Sequence, residues 1–300
     1  MKADFSSALA AAQSAAGSQN YPPNTLYMLA TPIGNLADIS LRALHVLQLV
    51  DTVACEDTRH TQGMLGIYGL KKNLMALHEH NEREAAQSII TLLQAGGRIA
   101  YVSDAGTPAV SDPGARLAAA VQTAGLRVMP LPGASSITAL ISAAGLTGDS
   151  GAFVFEGFLS SKAKEREAQV QQLSTEPKAV ILLEAPHRIE ALATALAMLG
   201  ERAITVGREL TKQFEQIATM PAREFAAWLA QDKHRQSGEF ALAIHPKTST
   251  SENTGDGERV LKLLLAELPT KTAVKLAADI TNEPRNALYE LALKLKNEDA

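Results

Sequence analysis

The chain has a single cysteine, Cys55, in three hundred residues, so no internal disulfide can form, and the composition suits a reducing compartment. No window approaches eighteen uninterrupted apolar residues, and no membrane-spanning helix is read. Positive charge is not in surplus. A formal net charge of -4 argues against attraction of nucleic acid by the whole surface and leaves that role to local basic patches. No G-x-G-x-x-G follows the first strand-like run and no G-x-x-x-x-G-K-[ST] occurs, which weighs against a nicotinamide-dependent oxidoreductase or a nucleoside-triphosphate site. His78 and His80 stand near Glu82, but no further cysteine or histidine cluster completes a ligand set, and no metal is expected. Tandem repeats are absent from the sequence as well.

What is present is alternation. From Thr25 onward, short apolar runs (25–31, 52–56, 73–78, 98–103, 127–131) alternate with segments of helical period, such as 40–50 with apolar positions 41, 44, 47 and 50. This pattern implies parallel strands joined by crossover helices. It pauses at "TGDSG" (147–151) and resumes with strand-like 152–158, 179–185, 203–210, 214–220 and 239–246 and helix-like 162–174 and 187–199. The expectation is an α/β chain: two unlike α/β domains at 25–136 and 137–247, preceded by a flexible N-terminal tail at 1–24. A linker at 248–257 then leads to three short helices at 258–297, with the proportions of a helix-turn-helix.

Turn formers crowd the ends of the strands in the first set. "TPIGNLADIS" (31–40), "EDTRHT" (56–61), "HEHNE" (78–82), "SDAGTPAVSDPG" (103–114) and "LPGASS" (131–136) each follow a strand-like run. For any one of them a tight turn is sufficient explanation. Together they would form a rim at the carboxyl edge of a parallel sheet, where ligands gather, with glycine allowing close backbone approach and proline stiffening the loops.

In that order, these loops resemble the signature loops of class III S-adenosylmethionine methyltransferases, which have the tetrapyrrole-methylase fold. "FEGFL", "EAPHRI", "RELTKQFE", "SGEF" and the helical tail extend the similarity over roughly residues 25–297 and narrow it to enzymes that methylate small-subunit ribosomal RNA on the 2'-hydroxyl of a cytidine. The resemblance implies a cytoplasmic homodimer with S-adenosyl-L-methionine in a cleft between its two α/β domains. The implied partner is the small ribosomal subunit and its RNA at the decoding region, with no DNA and no membrane. It places Ile33, Asp104, Gly106, Val110, Ser135 and Ser136 on the cofactor from the first domain, and Leu183, Phe240 and Ala241 on its adenine side from the second.

A ribose hydroxyl needs a group to take its proton. Candidates are Glu56, Asp57, His78, Glu82, Glu184 and His187, while Arg59 and Arg188 could grip a phosphate. Asp57 with Arg59 could equally be a loop-stabilising pair, His187 an ordinary helix-start residue, and Cys55 a buried thiol. For RNA, Lys162, Lys164 and Arg166 form one basic segment, and Lys271, Lys275, Arg285, Asn286 and Tyr289 mark the helical tail. Two rivals remain: a tetrapyrrole methyltransferase, and a ligand-sensing helix-turn-helix regulator that does no catalysis.

Overall fold

The computed structural model describes residues 5–78, 81–147, 151–247, 254–281 and 283–298. Residues 1–4 of the expected tail, Glu79 and His80 of the "HEHNE" run, and 248–253 of the expected linker therefore lie outside the described residues. The chain divides into two compact units, Met1–Pro246 and Lys247–Ala300.

The first unit begins with a helix where a flexible tail was expected. Ser6–Ala16 (α1) packs on Leu41–Leu49 (α2), burying Ala12 and Ala16, and Phe5 meets the Tyr68 ring edge-on at 4.9 Å. Alanines at i and i+4 let two helices approach closely, and that burial outweighs the weak apolar signature of an Ala/Ser/Gln segment.

Thr25–Leu29 (β1), Thr52–Cys55 (β2), Asn73–Ala76 (β3), Arg98–Val102 (β4) and Arg127–Leu131 (β5) form a parallel sheet in the order β3-β2-β4-β1-β5. Each crossover carries a helix: α2, then Thr58–Ile67 (α3), Glu82–Gln94 (α4) and Gly114–Thr123 (α5). The strands are apolar on both faces because both are covered. Tyr27, Leu29, Val53, Cys55, Ala100 and Val102 join the core with α1, α2 and α3, while Leu26, Met28, Ala54, Ile99 and Tyr101 join the core with α4 and α5. Strand β1 pairs with β4 on one side and β5 on the other.

Ser136–Ala143 (α6) leads to a second sheet built from Phe153–Gly157 (β6), Ala179–Glu184 (β7), Ala203–Arg208 (β8), Gln216–Pro221 (β9) and Phe240–Ile244 (β10). Its order is β6-β7-β10-β8-β9, and only β6 and β7 among these neighbours run parallel. The parallel sheet that alternation suggested is corrected here to a mixed one. Residues 209–215 are all that join β8 to β9, and a parallel crossover needs about a dozen residues or more, so the pair closes as a hairpin. Ala163–Leu173 (α7), Ile189–Leu196 (α8) and Phe225–Ala230 (α9) cover one face. The other face, through Ile181, Ala241 and Ala243, packs on Ile137 and Leu140 of α6 and on Ile33 and Leu210.

In the second unit, Thr254–Glu267 (α10), Thr270–Thr281 (α11) and Arg285–Glu298 (α12) surround Leu261, Ala273, Val274, Ala277, Leu288 and Ala292. Among the described residues no helix is long and apolar enough to cross a membrane.

Candidate functional site

All five turn-rich loops leave the carboxyl edge of the first sheet, since its strands are parallel. The strand order then decides which of them can cooperate. The loops after β1, β4 and β5 are neighbours, whereas the loop after β3 stands at the far edge.

The three neighbouring loops are tied to one another by backbone bonds. Thr31 and Gly106 exchange N–H···O bonds of 2.9 and 3.0 Å, and Thr107 Oγ1 donates to Ala134 O at 3.0 Å. Gly106 has φ +84°, which favours glycine, and a Cβ there would press on Ile33 Cγ2 at 3.2 Å. Further along, Ala109 and Ser111 hold left-handed backbone at φ 69° and 63° although neither is glycine. The Asp112 carboxylate maintains that conformation. Its Oδ1 accepts from Ala109 N (2.9 Å), Gly114 N (2.7 Å) and the Tyr101 hydroxyl (3.3 Å), and its Oδ2 accepts from Val110 N (3.3 Å). The Tyr101 phenol is correspondingly pushed up, by burial first and the Asp112 charge second.

These loops, the end of β7 and the start of β10 in the second sheet line a cavity of about 370 Å³. Ile33, Gly106, Val110, Ser135, Ser136, Leu183, Phe240 and Ala241, all expected on the cofactor, line it. Asp104 stands outside this cavity, in the wall of a neighbouring one. Sequence reasoning missed Ala105, Thr107, Ile137, Phe158, Ala185, Pro186, Leu210 and Glu239 in the lining. The signal for Ala105 and Thr107 was there, inside a loop already singled out. Phe158, Leu210 and Glu239 also lie inside quoted motifs of the second half, "FEGFL", "RELTKQFE" and "SGEF", but nothing in those runs says that they face a cavity. The first turn of α6 borders the cavity, and the Ser135 side chain does not cap it, which suits those amides to a polar ligand group.

The proposed proton acceptors and phosphate ligands are scattered more widely. Asp57 is the N-cap of α3, with Oδ1 accepting from Arg59 N at 2.8 Å and His60 N at 3.4 Å, and it pairs with the Arg59 guanidinium at 3.1 Å. Hydrogen bonds from the Arg59 side chain and backbone hold its carboxyl below the ordinary aspartate range, which makes it a weak base. Glu56, Asp57 and Asp104 are linked in sequence: Asp57 N donates to Asp104 Oδ1 at 3.3 Å, and Asp104 N to Glu56 Oε1 at 3.4 Å. His78 and Glu82 are displaced from the cavity because β3 is an edge strand. His78 N donates to Asn81 Oδ1 at 2.9 Å, and Glu82 pairs with Arg116 of α5 at 2.8 Å.

Glu184 reaches the cavity wall, but its side chain is 0 % exposed. Arg188 Nε lies 3.1 Å from its Oε1, Ala185 N donates to the same oxygen at 2.9 Å, and Arg188 Nη2 donates to Leu159 O. Burial raises the Glu184 pKa against the opposing pull of the Ala185 amide and Arg188. Glu184 and Arg188 therefore pin the segment that follows Phe158, a structural role in place of the catalytic and phosphate-binding ones expected. Arg166 belongs to the same pin. It is buried and donates to Ser160 O and Ser161 O at 3.2 Å each, so it is not presented to RNA. His187 is exposed in the turn after β7. Cys55 is buried at the end of β2, with its thiol pushed up by burial.

Lys162 and Lys164 are exposed, the former paired with Glu165 at 2.8 Å. In the helical unit Lys271, Lys275, Arg285, Asn286 and Tyr289 are all exposed, and Arg285 pairs with Asp279 at 2.8 Å. No group of three or more potential metal ligands occurs among the described residues.

Compared with known proteins, residues 25–226 match the family model described as Tetrapyrrole (Corrin/Porphyrin) Methylases, and residues 251–296 match the RsmI C-terminal HTH domain. Ribosomal RNA small subunit methyltransferase I of Escherichia coli O157:H7 is 46% identical over 272 residues, covering 90% of this chain and 94% of that protein. The protein of the same name from Pseudomonas aeruginosa is 46% identical over 275 residues, with 90% and 97% covered. Among solved structures, a cobalamin biosynthetic cobalt precorrin-4 methyltransferase has TM-score 0.56 at 15% identity, covering 73% of this chain and 94% of that one. Uroporphyrin-III C-methyltransferase from Thermus thermophilus, complexed with S-adenosyl homocysteine, has TM-score 0.52 at 15% identity, with 73% and 96% covered. These two establish likeness of fold. With the family model spanning two thirds of the chain and the relatives nearly all of it, the chain belongs to the tetrapyrrole methylases and, within them, to the ribosomal RNA small subunit methyltransferase I family.

Proposed function

We propose that this chain methylates the ribose 2'-hydroxyl of a cytidine in the decoding region of small-subunit ribosomal RNA, acting in the cytoplasm as a homodimer. As a member of a methyltransferase family, it uses S-adenosyl-L-methionine as methyl donor. The observation that carries the reading is the coincidence of the enclosed cavity with the residues expected on the cofactor. The cavity fits the group. Its wall combines backbone and small residues of the first-sheet loops with apolar side chains such as Leu183, Leu210 and Phe240, and glycine at 106 keeps clear a space that a Cβ would enter.

When bound, the cofactor supplies an activated methyl group: its carbon–sulfur bond breaks as the bond to the ribose oxygen forms, and the hydroxyl proton must leave. The chain's part is chiefly position. Gly106, Val110 and the first turn of α6 fix one side of the cavity, and Leu183, Phe240 and Ala241 the other. Holding two reactants in near-attack geometry is worth up to about 7–11 kcal/mol of barrier, which leaves little for a strong base to add. The Asp104 carboxylate is the proton acceptor we assign, because it adjoins Ala105 at the rim while Glu184 is sealed and Glu82 is remote. Lys162 and Lys164 at the start of α7, and Lys271, Lys275, Arg285, Asn286 and Tyr289 of the helical unit, are the proposed RNA contacts, their exposure being what supports that role. Irregular RNA suits such a site better than a plain duplex, since its ribose can be presented to a pocket.

The test is transfer of labelled methyl to small subunits from a strain lacking the enzyme, followed by nuclease mapping. Label in 2'-O-methylcytidine is the expected result. Label on a base, or none, rejects the assignment.

A further inference from the structure

A second cavity, of about 480 Å³, adjoins the first and shares Ile33, Ala105 and Glu239 with it. One wall is a face of α3 carrying Arg59, His60, Gly63 and Ile67, positions whose spacing brings them to one side of a helix. Two features of this face have no explanation inside the chain. Gly63 and Gly66 lie within the helix, where glycine is the poorest choice after proline, yet no described atom comes within 4 Å of a Cβ built at either position. Packing therefore does not demand a glycine there. At the end of the same face, Ile67 leaves 47 % of its surface exposed.

Charge is arranged along the cavity. Arg59, 91 % exposed at its side chain, and His60 stand at the start of α3. Lys212 faces them from the β8–β9 hairpin, held by Glu209 at 2.7 Å and Glu239 at 3.2 Å. Asp104 and Ala105 occupy the junction with the first cavity.

Building on the ribose-methylation reading, we propose that the second cavity is the subsite for the target ribonucleotide. Its base lies across the strip left open at Gly63 and ends against Ile67, its phosphate meets Arg59 and His60, and its ribose is presented over Ala105 to the first cavity. A planar ring needs a flat strip free of side chains, which the unforced Gly63 in the cavity wall supplies. A phosphate needs exposed donors; Arg59 Nε and Nη2 already donate to Asp57 at 3.4 and 3.1 Å, so the phosphate meets the remaining, solvent-facing part of that guanidinium. Continuity with the cofactor cavity gives the 2'-oxygen a short path to the methyl group.

The experiment uses Gly63→Leu, which fills the strip without entering the first cavity, and Ile67→Glu, which puts a solvated carboxylate where the base would rest, at an exposed position. For both, S-adenosylhomocysteine affinity by calorimetry stays within about twofold of wild type, and KM for unmethylated small subunits rises at least about tenfold with kcat little changed. Gly63→Leu also melts no lower than wild type, because leucine is the better helix former. An unchanged KM in both variants overturns the proposal. So does a fall in molar mass by light scattering, which would make the face a contact between two copies of this chain. A wild-type protein that binds S-adenosylhomocysteine but methylates no small-subunit RNA overturns the underlying reading, and the proposal with it. The wild-type control thus separates the two failures.

Discussion

The two sheets contribute to the cavity in opposite ways. The first offers its carboxyl edge, so the ligand meets loops, backbone amides and glycine. The second offers mostly side chains from one face and the ends of two neighbouring antiparallel strands, β7 and β10, where Leu183 pairs with Ala241. An edge is fixed by dihedral angles and tolerates little; a face is fixed by packing and yields by degrees. The comparison predicts a hierarchy of effects.

Gly106→Val tests the edge most severely. It forces a β-branched residue into φ +84° and drives a side chain onto Ile33, so affinity for S-adenosylhomocysteine falls more than about a hundredfold by calorimetry. Glu184→Ala probes the second sheet, where a buried ion pair loses one partner. Stability drops by about 3 kcal/mol in a urea titration. The pH dependence sharpens this. Burial raises the folded-state pKa of Glu184, so the folded protein holds that proton more tightly than the unfolded chain does. Its contribution is fully present below the ordinary glutamate value of 4.5 and is lost as pH rises through the higher folded value. Glu184→Gln therefore flattens the stability–pH curve just above that value.

Asp112→Asn is expected to be milder. It turns one acceptor into a donor facing Val110 N–H while preserving the other oxygen and its bonds, and cofactor affinity falls about tenfold. Glu82→Gln marks the bottom of the series. The partner Arg116 is 82 % exposed although Glu82 is buried, and glutamine keeps an acceptor for it, so stability falls by about 1 kcal/mol and methyl transfer is unchanged. Loss of transfer in Glu82→Gln would mean that the outer strand takes part in the site and would break the comparison.

The legible portion of the molecule follows the same division. Strands buried on both faces and glycine–proline loops write themselves into local sequence and mark the rim; the eight expected residues that line the cavity came from the family resemblance of those and later motifs. Strand order is not written locally. Nothing within "HEHNE" says that its strand lies at the outer edge, which is why His78 and Glu82 resembled site residues. Nor does a charged side chain announce its own burial: Arg166, in a basic run with Lys162 and Lys164, turns inward to hold the carbonyls of Ser160 and Ser161. The helix α1 was hidden because alanine-rich surface carries little periodic signal, although Ala12 and Ala16 are buried in the core.

Strand β1 pairs only with β4 and β5, which follow it by many tens of residues. During synthesis the chain therefore exposes β1 long before either partner exists, and the neighbouring β2 and β3 can pair earlier because they are close in sequence. The helical crossovers and α1 must shelter an unpaired apolar strand until β4 is made, and one open side of it until residue 131 has cleared the ribosome. The part of the site that begins at Thr31 is thus the first to be made and among the last to be assembled.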